Sequence, residues 1–217
     1  AQERVLRGEL LVDDPRAHPE VLELPASLQT WEPTYALATF GSNYVEVAEP
    51  WEPKRPLRAT ETVAADVLED AELVESLLDL VQPWTTESNG AARAIVVEGD
   101  GIAAASALTD ESLRVGELHP AEALQQVAWA AASGGAYGRR RGAAVGRSMA
   151  WYCAALLCDI GWPCDAEDLG SQIARLKWYR WDEGAPEEGW VLRISVENRV
   201  EGWSAAVAAT DLKEEGP

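Results

Sequence analysis

Two stretches near the C-terminus decide the fold class: Lys177-Trp-Tyr-Arg-Trp-Asp182 and Trp190-Val-Leu-Arg-Ile-Ser-Val-Glu197. Apolar and polar side chains alternate along the second stretch, which is the two-residue period of a strand with one buried face. Its apolar positions are Trp190, Leu192, Ile194 and Val196. The loop from Glu183 to Gly189 joins the two stretches, so the pattern predicts a β-hairpin.

A third apolar run, Arg93-Ala-Ile-Val-Val-Glu98, predicts a buried strand, and Gly99-Asp-Gly101 breaks it before an Ala-rich helix that ends near Leu108. Helical periodicity and helix start and stop signals predict further helices over 60–82, 120–133, 139–159, 165–176 and 201–212. Together these elements predict an α+β (or α/β) fold, in which about five helices pack on a small mixed sheet that contains the C-terminal hairpin.

Residues 1–57 are rich in proline and in short apolar runs. The runs at 5–12 and 21–24 predict short strands, and those at 35–41 and 44–48 predict a strand pair around the turn at 41–43. We therefore expect a Pro-rich segment over 1–57 and a main α+β domain over 58–217, with a single domain over 1–217 as the alternative.

Small residues recur every four positions around the helix that is predicted over 139–159. They are Gly138, Gly142, Gly146, Ala150 and Ala154. This spacing places them along one ridge of a helix. Because glycine costs about 1 kcal/mol relative to alanine inside a helix, we expect another element, the helix over 120–133, to approach this seam closely.

The charge balance restricts the classes of partner. The chain has 37 acidic and 18 basic residues, for a formal net charge of −19. Such a field repels phosphate backbones and anionic lipid, so it argues against non-specific nucleic-acid binding and against membrane binding, and leaves a protein partner or self-association. The chain has three cysteines, an odd number, and no apolar run of 18 residues, so we expect a cytoplasmic protein without a disulfide framework.

No motif for catalysis is present. The sequence lacks G-x-G-x-x-G, G-K-[ST] and G-x-S-x-G, and its two histidines, His18 and His119, have no evident partner. Cys153, Cys158 and Cys164 do not follow a zinc-binding spacing. We therefore predict neither a metal nor a cofactor, and we favour a non-enzymatic role.

The segment from Ser133 to Arg147 is the most suggestive part of the chain, because it combines glycines with the densest positive charge. Glycine turns expose backbone N–H groups, and a helix N-terminus attracts anions, so a phosphate or carboxylate ligand is one reading. The other reading, which we favour, is that the arginines pair with acidic side chains of the protein itself. The candidate residues are Gly134, Gly135, Tyr137, Arg139, Arg140, Arg141 and Arg147.

A second candidate is the polar loop before the strand at 93–98. Binding residues often lie on loops that a rigid scaffold holds, although an ordinary turn explains the same residues. Its candidate residues are Trp84, Thr85, Thr86, Glu87 and Asn89. The chain also has ten tryptophans, several of them in the C-terminal hairpin, and these suit either a core or an interface.

The runs at 83–90, 132–144 and 178–182 resemble those of an uncharacterised family of bacterial proteins from high-GC genomes. The resemblance covers residues 50–212, and it implies no catalytic residue because that family has no assigned activity. Our first hypothesis is therefore a non-enzymatic binding or assembly protein that uses its acidic surface or its Trp-rich end. The alternative is an enzyme or sensor that holds a phosphorylated or carboxylated small molecule at Arg139–Arg147.

Overall fold

The computed structural model describes residues 1–11, 13–14, 21–35, 39–40, 45–46, 56–109 and 112–213. Within these residues lie the helices α1 (Gln2–Leu6), α2 (Ala71–Asp79), α3 (Gln82–Thr86), α4 (Gly101–Ser106), α5 (Pro120–Ser133), α6 (Ala143–Leu157) and α7 (Ala166–Ile173). The strands are β1 (Thr39–Phe40), β2 (Val45–Glu46), β3 (Arg58–Thr60), β4 (Ala91–Glu98), β5 (Leu113–Leu118), β6 (Lys177–Asp182), β7 (Trp190–Asn198) and β8 (Trp203–Asp211). No helix of this described part is both long and apolar enough to span a lipid bilayer.

Six of the strands form one sheet in the order β3-β5-β6-β7-β8-β4. The expected hairpin is present as β6 and β7, in which Trp178 pairs with Val196, and the expected strand at 93–98 is part of β4. The α+β class is therefore confirmed. We expected a mixed sheet, but all neighbouring strands in this sheet are antiparallel. An α/β fold, which was our alternative, would contain parallel strands.

Each face of the sheet is covered by different helices. On one face, Leu192, Ile194 and Val196 of β7 join a hydrophobic core with buried residues of α2, α5 and α6. On the other face, Val97 and Trp181 pack with the alanines of α4. The sheet therefore contributes to two hydrophobic cores, one on each face. Burial of apolar surface in these cores is the main stabilising term in folding.

The seam of small residues lies where α5 crosses α6. A Cβ atom at Gly146 would lie 2.2 Å from the Ala128 carbonyl oxygen and 2.9 Å from the Ala132 Cβ, so only glycine allows this approach. Ala150 and Ala154 are also buried. The expected packing of the seam against 120–133 is therefore confirmed at Gly146.

The start of α6 corrects one part of that expectation. The helix begins at Ala143 rather than near 139, and Gly142 is its N-cap with φ 88°. A Cβ at Gly142 would meet only Glu3 Oε1, at 3.5 Å. Gly142 is therefore required by its left-handed backbone and not by close packing.

The helix that the sequence predicted over 60–82 begins only at Ala71. Thr60 ends β3 instead of capping a helix, and Asp70 is the cap, since its carboxylate accepts from the Leu73 N–H at 2.9 Å. In the extended stretch before it, Val67 forms an antiparallel bridge to β4. Valines at a helical spacing suggested a helix, but β-branched residues also suit the edge of a sheet.

The last element, which we predicted as a helix over 201–212, is strand β8. It lies between β7 and β4, so its backbone pairs on both sides. Its alanines have a high helix propensity, but Ala205, Ala206 and Ala209 are buried in the sheet. Backbone hydrogen bonding to two neighbouring strands therefore outweighs the helix propensity of these alanines.

The N-terminal expectations are met only in part. Residues 2–6 form α1 and residues 21–23 a single 3₁₀ turn, so the strands predicted over 5–12 and 21–24 are wrong. The predicted pair is confirmed for β1 and β2, which are antiparallel. Its turn at 41–43 lies outside the described residues.

Candidate functional site

The two candidate segments of the sequence meet in the structure. The loop at 84–90 lies beside the chain that follows α5. The Arg139 N–H donates to Glu87 Oε2 at 2.8 Å, and the Tyr137 N–H donates to Ser88 Oγ at 3.2 Å. The two segments therefore form one unit, which we call the glycine–arginine unit.

The other polar groups of the 84–90 loop are used inside this unit. Trp84 is fully buried, and its Nε1–H donates to Ser133 Oγ at 3.0 Å. The hydroxyls of Thr85 and Thr86 donate to the Gln82 carbonyl oxygen at 3.1 and 2.9 Å. Trp84, Thr85 and Thr86 all belong to the short helix α3, in which Pro83 lies in the first turn.

The chain leaves α5 through two glycines in the left-handed conformation, Gly134 with φ 76° and Gly135 with φ 69°. A Cβ at Gly134 would lie 2.5 Å from the Arg139 carbonyl oxygen, and a Cβ at Gly135 would lie 2.1 Å from Asp211 Oδ2. A turn of this kind directs backbone N–H groups to one side and can hold an anion.

The anion beside this turn belongs to the protein. The Ala136 N–H donates to Asp211 Oδ2 at 2.6 Å, and Asp211 is only 2% exposed. The other carboxylate oxygen, Oδ1, has no hydrogen-bond partner among the described residues. Gly90 and Gly189 also leave no room for a side chain against Asp211. Three glycines therefore approach Asp211 closely: Gly135 at its carboxylate, Gly90 at its Cβ and Gly189 at its backbone carbonyl oxygen.

Arg140 and Arg141 are directed back onto the protein. Arg140 Nη1 donates to the carbonyl oxygens of Ser133 and Gly135, the latter at 2.7 Å, and its guanidinium lies 5.5 Å from the Trp190 ring centre. Arg141 donates to the Gln82 side chain and to a backbone oxygen of α2. Burial lowers the pKa of both guanidiniums, although nearby acids oppose that shift.

Arg147 is fully buried, and all its donors are used. Its Nε–H and one Nη2–H donate to the Glu32 carboxylate, each at 2.8 Å. The other donors reach Gln2 Oε1 at 2.6 Å and the carbonyl oxygens of Pro25 and Ser27 at 3.2 and 3.0 Å. A guanidinium has five N–H groups, so Arg147 has none left for a ligand and leaves the set of anion-binding candidates.

Several of the candidates lie at the surface, among them Thr85, Thr86, Glu87 and Arg140. Tyr137 is 51% exposed, and Arg139 and Asn89 are exposed beside it. Arg139 donates its backbone N–H to Glu87, while its guanidinium forms no ion pair with a described residue. Arg139 and Arg140 are both exposed, but only Arg140 uses its guanidinium in hydrogen bonds to described residues.

Burial keeps two of the three cysteine thiols protonated. Cys153 is buried, which raises the pKa of its thiol to about 12, and burial raises the pKa of Cys158 to about 12 as well. Thiols held protonated in this way are poor nucleophiles. No group of three His, Cys, Asp or Glu side chains among the described residues is placed to hold a metal ion.

A cavity of about 450 Å³ lies on another side of the protein, between the start of α2 and the end of α6. We call it the acidic cavity, and its lining includes Asp70, Glu72, Tyr152, Leu156, Asp159 and Trp162. The Tyr152 and Trp162 rings meet edge to face, with centres 6.0 Å apart and planes at 84°. The Trp162 Nε1–H donates to Glu23 Oε2 at 2.7 Å, which fixes the indole.

A family model for a family of unknown function, DUF6183, matches residues 1–212. The chain belongs to the DUF6183 family. The match includes the Pro-rich N-terminal part that our resemblance to an uncharacterised family left out. The origin of the chain in a high-GC bacterium stays a prediction. No curated protein and no solved structure matches the chain.

Sequence reasoning missed two features of this DUF6183 protein. Asp211 was placed in a helix, so nothing linked it to the glycines that approach it. The second missed feature is the acidic cavity. It brings Asp70 and Glu72, at the start of α2, close to residues at and after the C-terminal part of α6, which are Tyr152, Asp159 and Trp162. The one signal in the sequence was Asp159 and Gly161 after the last apolar residues of that helix, which marks a chain reversal.

Proposed function

We propose that this protein is a non-enzymatic binding protein for a positively charged protein partner. Its net charge of −19 would attract such a partner over a distance of about one Debye length, roughly 8 Å at physiological salt. The same charge supports our expectation that phosphate backbones and anionic membranes are not its targets.

The acidic cavity is the observation that carries this proposal. Three carboxylates line it, and neither Glu72 nor Asp159 forms an ion pair with a described residue. Asp70 uses one carboxylate oxygen to cap α2. Acidic side chains that their own protein leaves unpaired are available to a cationic partner.

The aromatic walls define what kind of cation fits. Lysine and arginine side chains carry their charge on an apolar stem, and aromatic rings bind such cations through their faces. Tyr152 is 36% exposed, so its ring is accessible from the cavity side. A basic side chain of the partner would therefore place its stem against Tyr152 and Trp162 and its charge near the carboxylates.

A cytoplasmic location belongs to this proposal. The three cysteines are free, which suits a reducing compartment. A second copy of the chain is a poorer partner than a basic protein, because two surfaces of the same strong charge repel each other.

The test uses a 12-residue peptide of alternating lysine and glycine, with binding followed by fluorescence anisotropy. We expect Glu72→Gln/Asp159→Asn to weaken binding about two- to fivefold for each carboxylate removed. The control is Glu61→Gln/Glu188→Gln, which removes two exposed carboxylates outside the cavity. Equal weakening in both variants would contradict a specific site, because it would mean that only net charge matters.

The alternative function, an anion sensor or enzyme at Arg139–Arg147, has one supporting observation. The Arg139 guanidinium is exposed and unpaired with any described acid. Against it, the neighbouring arginines are bound to the protein itself. Stabilisation by phosphate that Arg139→Gln abolishes would favour the sensor over the partner-binding protein.

A further inference from the structure

Two arginines flank an alanine in one row across the sheet. The register pairs Arg93 of β4 with Ala208 of β8, and the same Ala208 with Arg193 of β7. Residues opposite each other in neighbouring strands point to the same face. Because alanine has no side chain beyond Cβ, the two guanidiniums stand on either side of a gap.

This gap is a cavity of about 230 Å³. We call it the arginine bowl. Its floor is formed by Ala91, Ala208 and Thr210, and its walls by Leu108 and Glu183. It is smaller than the roughly 300–1,000 Å³ that is usual for drug-sized ligands, so it suits a small molecule.

The charges around the bowl form an alternating chain. Arg180 pairs with Glu187, Glu187 pairs with Arg193 at 3.2 Å, and Arg193 pairs with Glu183 at 2.6 Å. The remaining oxygen of Glu183 accepts from the Thr109 hydroxyl at 3.1 Å. Arg193 also lies over the Trp181 ring, 5.6 Å from its centre. These contacts neutralise both glutamates and hold them in place.

Arg93 is the second arginine that lines the bowl. One of its Nη2–H groups donates to the Leu108 carbonyl oxygen at 2.5 Å, which fixes the guanidinium at the rim. It forms no ion pair with any described residue. Among the described residues that line the cavity, Arg93 and Arg193 face a single carboxylate, that of Glu183, in a protein of charge −19.

We propose that the arginine bowl binds a small oxyanion, with its carboxylate or phosphate group on Arg93. A guanidinium offers a planar fork of N–H donors that matches either group in a bidentate pair. Arg193 bounds the far side of the gap and adds attraction without leaving its glutamates. This site is independent of the partner-binding proposal, since it lies on the α4 face of the sheet and uses different residues.

The experiment measures binding of inorganic phosphate, and separately of succinate, to the full chain by calorimetry and by thermal shift. Arg93→Gln is expected to weaken binding at least about tenfold, because it removes the charged fork. The control Arg175→Gln removes an equal charge from an exposed arginine on the turn after α7 and should bind like the wild type. Tighter binding of phosphate than succinate identifies a phosphorylated ligand, and the reverse a carboxylated one.

A second variant keeps the test independent of Arg93. Ala91 is exposed and lies on the bowl floor, so Ala91→Leu fills the cavity without a change of charge. We expect it to fold and to lose binding of the same probe. Unchanged binding in Ala91→Leu, equal losses in Arg93→Gln and Arg175→Gln, or no binding to the wild type at 10 mM or less would each overturn the proposal.

Discussion

Arg147 and Glu32, which are 115 residues apart in the sequence, form a bidentate ion pair in which both side chains are fully buried. The Trp151 Nε1–H donates to the same carboxylate at 2.7 Å. This cluster fastens Gln2, Ser27 and Glu32 to α6. It supports the alternative that we left open, a single domain over 1–217, over a separate N-terminal segment.

Breaking this pair should destabilise the protein strongly. Glu32→Gln leaves the Arg147 charge buried without a counter-ion, which typically costs about 3–5 kcal/mol. Urea unfolding should show that loss, and Glu32→Gln/Arg147→Met should recover part of it because the unpaired charge is gone. A Glu32→Gln protein as stable as the wild type would mean that water reaches the pair.

The α5–α6 crossing should be intolerant of any side chain at Gly146. Gly146→Leu would place atoms on the Ala128 carbonyl oxygen, and overpacking of this kind costs about 1–3 kcal/mol or more. Gly161→Ala is the matched control, since a Cβ there meets no atom within 4 Å. Thermal melts should separate the two variants, and an unshifted melt for Gly146→Leu would reject the close approach.

Asp211 should stabilise the protein mainly because its carboxylate accepts a hydrogen bond, and less because it is negatively charged. Asp211→Ala strands the Ala136 N–H and should cost about 1–3 kcal/mol. Asp211→Asn keeps one oxygen for that N–H and should cost less. Denaturant unfolding of the pair gives the comparison, and equal stability of Asp211→Ala and the wild type would show that the glycine turn needs no internal anion.

The free energy of unfolding should decrease at acid pH, because Asp182 and Glu197 then become protonated. Burial alone would raise the pKa of Asp182, but hydrogen bonds from Arg114 and the Gly184 N–H lower it overall. The pKa of Glu197 is lowered in the same way by Tyr179 and Arg199. Their contribution is therefore complete above the ordinary carboxylate pKa of about 4 and is lost as pH falls below it.

The variant Asp182→Asn tests the acid dependence. The asparagine amide takes up no proton in this range, so the free energy of unfolding of the variant should change less between pH 5 and pH 3 than that of the wild type. Glu61→Gln changes an exposed carboxylate and should leave the slope as it was. Parallel pH profiles for Asp182→Asn and the wild type would contradict a lowered pKa.

The sequence predicted those parts of the fold in which local pattern and tertiary pairing agree. The alternation in β7 and the helix signals of α5, with His119 as its cap, are of that kind. Strand β8 could not be predicted, because its alanines favour a helix locally and only two neighbouring strands make it extended. The late start of α2 has the same cause, since the bridge of Val67 to β4 is a long-range contact.

In the candidate site, too, the sequence predicted what depends on local pattern and not what depends on long-range contacts. The sequence indicated that the glycines after α5 could surround an anion, and that the arginines could pair with acids of the protein. It could not indicate which acids, because Asp211 and Glu32 are distant in sequence from the residues that they contact. The arginine bowl was equally hidden, since it depends on the register that places Arg93 and Arg193 on either side of Ala208.

The most direct test of this account is the thermal melt of Arg140→Gln/Arg147→Gln with and without millimolar phosphate. If the glycine–arginine unit is structural, the double variant melts at a lower temperature without any ligand, because the buried Glu32 loses its counter-ion. Any stabilisation by phosphate then survives in the double variant and is lost in Arg93→Gln. An unchanged ligand-free melt, together with loss of phosphate stabilisation in the double variant, would contradict the account and make this unit an anion-binding site.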